Sequence, residues 1–293
     1  LSAGVVGAGA FATYHARQYK NLGRADLAGV WDPNPEAAQK LADELGVRAF
    51  DSFQALLAAV DMVTVASPAI YHAEGAMAAV AAGKHVYVEK PLAIDPKDAQ
   101  AIIEAAEDAG LVVAVGHQER AVFQAMGLTE VPEQPLSLEA VRFGTPSTRN
   151  LDVSATLDLM VHDIDLALAL IDSEVVAVTA TGSDDAKDAS VTFASGAVAR
   201  FSVSRVAPER KRTMKLVYPS GEVELDFLTR AFRNTTPFAL DPNFAETPAG
   251  KDPLGASVGA FIDAVENRSP RPLVNGEEAT RALALAVRID RAS

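Results

Sequence analysis

The chain has 293 residues, 49% apolar and 22% charged, the balance of a folded globular protein with room for two hydrophobic cores rather than of a disordered chain. Its formal charge of −13 argues against nucleic acid as a general partner, because a phosphate backbone is met by a basic footprint. With no cysteine, and no apolar run near the about 18 residues that cross a bilayer, disulfide scaffolds, thiolate nucleophiles, zinc–thiolate sites and helical membrane spans drop out, and a cytoplasmic location fits.

The sequence opens on a strand-like segment at residues 2–6, without the basic and apolar regions of a signal peptide. Over residues 1–118 short apolar runs alternate with helical patterns. Strands are predicted at 3–6, 27–31, 48–50, 62–66, 85–88 and 112–115, with helices near 12–21, 35–45, 53–59, 73–82 and 96–109. Gly46, Gly83 and Gly110 stand where helix C-termini take a left-handed residue, and Asp95-Pro96 reads as an N-cap followed by proline in the first turn. This alternation predicts an α/β Rossmann domain with a doubly wound parallel sheet over residues 1–118.

After Gly116 the texture changes. Residues 119–150 read as irregular, with Pro132, Pro135 and Pro146, and a long helical pattern then runs to about residue 171. Strands are predicted at 175–181, 189–193, 197–203, 214–218 and 222–227, joined by turns such as Ser195-Gly196 and Ser220-Gly221, so the sheet should be mainly antiparallel. Helices near 257–267 and 276–291 close the chain. Residues 119–293 therefore read as an α+β domain for substrate binding and oligomerisation. One face of its sheet must cover helices; a second apolar face would make a dimer or tetramer interface.

Gly7-Ala8-Gly9-Ala10-Phe11-Ala12 follows the first strand and opens the first helix in the form G-x-G-x-x-A. Gly7 permits the tight turn, Gly9 lets backbone approach a pyrophosphate, and Ala12 lets the helix pack closely on the sheet, while Ala10 and Phe11 begin the helix whose N–H groups face the phosphates. Asp32 lies twenty residues past Ala12, at the end of the second strand, placed for ribose hydroxyls. A carboxylate there repels a 2′-phosphate and no Arg occupies 33–37, so NAD is expected rather than NADP.

Asp158, His162 and Asp165 have the three- and four-residue spacing that shares one face of a helix. A histidine between carboxylates is a candidate for proton transfer; a capped or solvated surface pair has the same spacing. Arg205, Arg210, Lys211, Arg212 and Lys215 cluster within eleven residues, either as solvated strand ends or as a small-anion site. No other His/Asp/Glu set has metal-ligand spacing, so no metal is expected.

Further motifs carry a family resemblance. Ser67-Pro68-Ala69-Ile70-Tyr71-His72, the run from Gly83 through Glu89-Lys90-Pro91, Gly116-His117, and the Asp158/His162/Asp165 pattern together resemble the Gfo/Idh/MocA oxidoreductases over nearly the whole chain. The segment from Arg149-Asn150 to Leu166 is similar to the branch of nucleotide-sugar 3-dehydrogenases, of the kind that oxidise UDP-N-acetylglucosamine. Glu119-Arg120 are present, but Ala121-Val122-Phe123 stand where that branch has Phe-Asn-Pro.

The resemblance implies an NAD-dependent dehydrogenase acting on a secondary hydroxyl of a sugar, with a nucleotide sugar such as a UDP-N-acetylhexosamine as substrate. Redox-assisted epimerisation or elimination on another polyol such as inositol, and a non-catalytic NAD(P)-binding regulator, are the alternatives. It implies that Ser67, Pro68, His72 and Glu89 border the cofactor, that Lys90 sits near the nicotinamide and the reacting hydroxyl, that His162 is the general base, and that Asp158 binds substrate or fixes the imidazole. Removing the hydroxyl proton as hydride leaves suits a histidine, and an ammonium nearby stabilises the negative charge on oxygen. His117, Arg149, Asn150 and Asp165 are the candidate substrate ligands; for Arg149 the alternative is tying down its loop. His85 is expected to be structural, His15 stays open, and Pro91 is expected to follow a cis peptide bond.

Overall fold

The computed structural model describes residues 1–147 and 152–292. In chain order the elements begin with β1 (Ser2–Val6), α1 (Ala10–Leu22), β2 (Asp26–Trp31), α2 (Pro35–Leu45), β3 (Arg48–Ala49) and α3 (Phe53–Ala58). They continue with β4 (Met62–Val65), α4 (His72–Ala81), β5 (His85–Val88), α5 (Pro96–Asp108) and β6 (Val113–Val115). Then come α6 (Glu119–Met126), β7 (Ser137–Phe143), a π-helical turn at Thr156–Met160 and α7 (Val161–Leu170). Strands β8 (Val175–Gly182), β9 (Ala186–Phe193), β10 (Val198–Ser204), β11 (Lys211–Tyr218), β12 (Gly221–Asp226) and β13 (Phe232–Asn234) follow. Helices α8 (Pro248–Lys251), α9 (Pro253–Val265) and α10 (Gly276–Arg291) end the chain.

Two compact units result. The first comprises Leu1–Gln118 and Asp252–Thr280. Its six strands are all parallel, in the order β3-β2-β1-β4-β5-β6. The winding reverses between β1 and β4, and the carboxyl ends of such a pair form the crevice where open α/β sheets bind ligands. Helix ends follow the sequence signals: Asn34 and Asp95 side chains cap α2 and α5, and Gly23 and Gly46 close α1 and α2 in the left-handed conformation. The sequence reading put residues 252–280 in the second domain, whereas they group with the first unit. The cause is apolar continuity, since Val258, Phe261 and Ile262 of α9 join the buried cluster of Ala12, Ala16 and Tyr19 of α1.

The second unit comprises Glu119–Lys251 and Arg281–Ser293. Its seven-stranded sheet has the order β13-β12-β11-β7-β10-β9-β8, antiparallel throughout except that β7 runs parallel to β10. Leu138, Ala199, Phe201, Val191, Met214 and Leu216 bury one face. The opposite face carries charged pairs, Arg200 against Glu139 and Lys215 against Glu222, beside the outward Val141 and Phe143 of β7.

Residues 119–150 are less irregular than their sequence suggested, because they contain α6 and the central strand β7. That strand escapes a period-two search since Arg142 takes an inward position while Val141 and Phe143 point outward. Among the described residues no helix is long and apolar enough to cross a membrane.

Candidate active site

In the first unit the loop after β1 has the shape of a phosphate-binding turn. Gly7 has φ 107°, and a Cβ there would lie 2.8 Å from the Ala66 carbonyl oxygen, so only glycine fits. A Cβ on Gly9 would meet nothing within 4 Å, which leaves open space at the N-terminus of α1. Ala12 is fully buried, as close helix–sheet packing requires, and Phe11 stays 39% exposed with its ring edge-on to Tyr14. Asp32 is held by two backbone donors, Ala8 N–H on Oδ2 and Asn34 N–H on Oδ1, both at 2.8 Å. Ser67 Oγ, beyond β4, is buried with no hydrogen-bond partner among the described residues. An open glycine, an anchored carboxylate and an orphaned hydroxyl at the carboxyl ends of β1, β2 and β4 fit a dinucleotide.

The segment after β5 is tied to the phosphate-loop helix. His15 Nε2 lies 2.6 Å from Glu89 Oε1, and His15 is fully buried. Burial alone would raise the Glu89 carboxyl, but His15 beside it outweighs that and holds it below its ordinary value. Glu89 Oε2 accepts from Lys90 N–H at 3.2 Å and lies 3.0 Å from where a Cβ on Gly116 would sit. Lys90 is half-buried, and the Lys90–Pro91 peptide bond is cis. His72 spans two loops, Nδ1 at 2.6 Å from Pro91 O and Nε2 at 2.8 Å from Ser67 O, and burial lowers its pKa. Pro68 precedes the turn that leads to His72. His117 is buried after β6. His85 Nδ1 accepts from Val112 N–H, a structural bond.

In the second unit the residues around His162 form a chain of charges. Arg142 donates from Nε and NH2 to both oxygens of Asp163, at 2.9 and 2.8 Å. Its NH1 donates to Glu119 Oε1 at 2.8 Å, and Glu119 Oε2 lies 2.5 Å from His162 Nδ1. Burial pushes the Glu119 carboxyl up, yet Arg142 and His162 hold it well below the usual carboxylate range. Burial also works against the Arg142 charge, and Asp163 and Glu119 outweigh it. Asp158 lies in the π-helical turn, 9% exposed, one turn before His162. Asp165 is 1% exposed and takes a two-pronged ion pair from Arg120 Nε and NH2, so it turns toward α6 rather than onto an open face shared with His162. Arg149 and Asn150 lie outside the described residues.

The basic cluster divides. Arg205 is bound to Asp185 and Val153 O, and Lys215 to Glu222 and Glu224. Arg212, directly across from Arg142 in the β11–β7 ladder, makes no side-chain hydrogen bond or ion pair among the described residues. Burial and the Arg142 charge lower its pKa from the usual value. Among the described residues no group of three or more His, Cys, Asp or Glu could hold a metal ion.

Residues 1–117 match the family described as "Oxidoreductase family, NAD-binding Rossmann fold", and residues 140–224 match the Gfo/Idh/MocA C-terminal domain. The chain is 34% identical over 303 residues to UDP-N-acetylglucosamine 3-dehydrogenase of Acidithiobacillus ferrooxidans, covering 99% of this chain and 96% of that protein. It belongs to the Gfo/Idh/MocA oxidoreductases. A solved structure of that Acidithiobacillus enzyme superposes with TM-score 0.90 at 34% identity, covering 100% of this chain and 97% of the other. Inositol 2-dehydrogenase of Paracoccus denitrificans is 36% identical over 189 residues, 60% of this chain and 56% of that protein. As a Gfo/Idh/MocA protein the chain is an NAD-dependent dehydrogenase acting on CH–OH groups.

Four residues of this Gfo/Idh/MocA chain stand in these clusters without having been singled out as site residues: His15, Glu119, Arg142 and Asp163. Arg142 carried a signal, a charge at an inward position of a strand, which demands a buried counter-charge. Glu119 stood in the motif Glu119-Arg120, but nothing there gave its role, because its partners lie 23 and 43 residues away in sequence.

Proposed function

We propose that the enzyme oxidises a secondary hydroxyl of a nucleotide sugar, of the UDP-N-acetylhexosamine class, and reduces the corresponding ketone in the reverse direction. The likeness to the Acidithiobacillus dehydrogenase, spanning 99% of the chain, carries this reading. Gly7, Gly9, Ala10 and Phe11 bind the pyrophosphate with Ala12 seating their helix on the sheet, Asp32 binds the ribose, and Ser67, Pro68, His72, Glu89 and Lys90 the nicotinamide side. Bound NAD supplies the hydride acceptor. His162 takes the hydroxyl proton, so the electron pair left on oxygen closes the carbonyl as the carbon gives up hydride. Lys90 stabilises the negative charge developing on that oxygen, and Asp158 positions the substrate or the imidazole. His117, Arg149 and Asn150 contact substrate, while Asp165 acts as scaffold through Arg120.

Arg212 receives an anionic part of the substrate, a role open to an inward guanidinium without a carboxylate partner among the described residues. Arg212→Gln is then expected to raise KM for a UDP-sugar about tenfold, the loss of one charge-assisted hydrogen bond, with little effect on an uncharged sugar. Equal effects on both would remove Arg212 from substrate binding.

The absence of cysteine fits a cytoplasmic enzyme. The chain self-associates into a dimer or tetramer through the outer face of the sheet, where Val141 and Phe143 lie among charged pairs, and sedimentation of the purified chain tests it. The substrate is tested by NADH absorbance on a panel of UDP-sugars and free polyols. Activity on inositol with none on any UDP-sugar would favour the second reading that the Paracoccus relative supports, a polyol dehydrogenase.

A further inference from the structure

We infer that Glu119 is the positioning residue that sets the proton inventory of His162, fixing the tautomer in which Nδ1 carries hydrogen and Nε2 presents the lone pair. The inference rests on His162 being the base. It follows from the bonding of one carboxylate. Glu119 Oε1 is engaged by Arg142 NH1 at 2.8 Å, and Oε2 is 2.5 Å from His162 Nδ1. A carboxylate held ionised by a buried guanidinium has no proton to give, so the hydrogen in that contact sits on Nδ1. The neutral ring then has its lone pair on Nε2, the nitrogen turned away from Glu119. When the substrate O–H bond breaks and Nε2–H forms, the imidazolium keeps both hydrogens and its new charge faces an existing carboxylate.

The geometry also explains why a buried chain of three charges, Asp163, Arg142 and Glu119, ends on the imidazole. Asp163 grips Arg142 at two points, which leaves NH1 aimed at Glu119 and fixes the carboxylate plane. Arg142 comes from β7, Glu119 from α6, and Asp163 from the residue after His162, so three elements define the ring orientation. Other charges of this unit contribute to the field: Asp158 on the preceding turn, and Arg212, which feels Arg142, Arg210, Glu119 and Asp163. Asp163, Arg142 and Glu119 together carry one net negative charge, and the carboxylate in contact with the ring is Glu119.

The test is the pH profile of kcat/KM for UDP-N-acetylglucosamine oxidation, compared among the unmodified enzyme, Glu119→Gln and His162→Asn. With the carboxylate charge removed, the imidazole loses its proton more easily, so the acid limb is expected to move to lower pH. At the plateau, turnover is expected to fall at least about tenfold, since the amide can hold either tautomer. An acid limb and plateau unchanged in Glu119→Gln, with His162→Asn inactive, would overturn the role of Glu119 and leave His162 as the base. Full activity in His162→Asn would instead remove the base assignment on which it rests. Should Glu119→Gln not fold, nitrogen NMR of the unmodified enzyme decides. The His162 resonances, assigned by their loss in His162→Asn, should show Nδ1 protonated at neutral pH, and an Nε2–H tautomer would overturn the inference.

Discussion

The dinucleotide features and the histidine cluster are held in place by different kinds of force. Gly7, Gly9, Ala12 and Asp32 lie within one strand–helix–strand unit, and what they require is backbone shape: a positive φ at Gly7, space at Gly9, and two N–H groups on Asp32. His162 is held by side chains from α6, β7 and α7, and Arg142 and Asp163 behind it are 2% and 3% exposed. In the first region, changes at Gly9 or Asp32 should therefore alter affinity with little effect on folding, whereas Gly7 and buried Ala12 also serve the backbone and core. In the second, the same charges that orient the base are buried ion pairs, so chemistry and stability are lost together when one partner is removed.

The largest expected effect separates chemistry from binding. His162→Asn should lower kcat by about 10²–10⁴-fold, the range of a lost general base, and Lys90→Met by about 10²–10³-fold, that of a lost donor to the developing negative charge, while NAD still binds. Turnover and NAD titration on the same preparations check this. Turnover near that of the unmodified enzyme in either variant would break the assignment of its role.

Arg142→Met tests whether the histidine cluster is coupled to the fold. It leaves Glu119 and Asp163 as buried carboxylates without their cation, a situation that costs about 3–5 kcal/mol. Thermal unfolding should show a clear loss of stability, with activity falling in parallel. A melting curve that overlays the unmodified protein would mean the ion pairs are neutral to the fold and that the contrast drawn between the two regions is wrong.

The same contrast decides how much was readable in advance. The Rossmann sheet, its capping residues and the Gly7-to-Ala12 loop are legible because each is a short-range demand of backbone geometry on residue type. Lys90, Asp158 and His162 were reached through motif resemblance; their spacing alone allowed a surface pair. Glu119 is visible only as a motif residue without a role and Arg142 not at all, since β7 puts a charge inward and apolar side chains outward, which hides both the strand and the buried network. Asp165 has helical spacing from His162, but Arg120 of α6 takes both its oxygens in the core, a partner 45 residues away that spacing does not reveal.

Asp32 gives the smallest effect and the sharpest discrimination within the dinucleotide region. Its two oxygens accept from Ala8 and Asn34, so it both shapes the phosphate loop and presents negative charge beyond β2. Asp32→Ala removes both functions and should weaken NAD binding by about 1.5–3 kcal/mol, the value of hydrogen bonds to a charged group. Asp32→Asn keeps an oxygen for the Ala8 N–H while removing the charge and the acceptor for the Asn34 N–H. If charge is what excludes a 2′-phosphate, Asn should lose little NAD affinity yet gain NADP affinity, and Ala should lose affinity for NAD while the ratio between the two cofactors relaxes. Calorimetric titration of both cofactors against both variants separates the roles. Unchanged preference for NAD in Asp32→Asn would locate the discrimination in loop shape rather than in the carboxylate, and the first region would then be backbone-determined throughout.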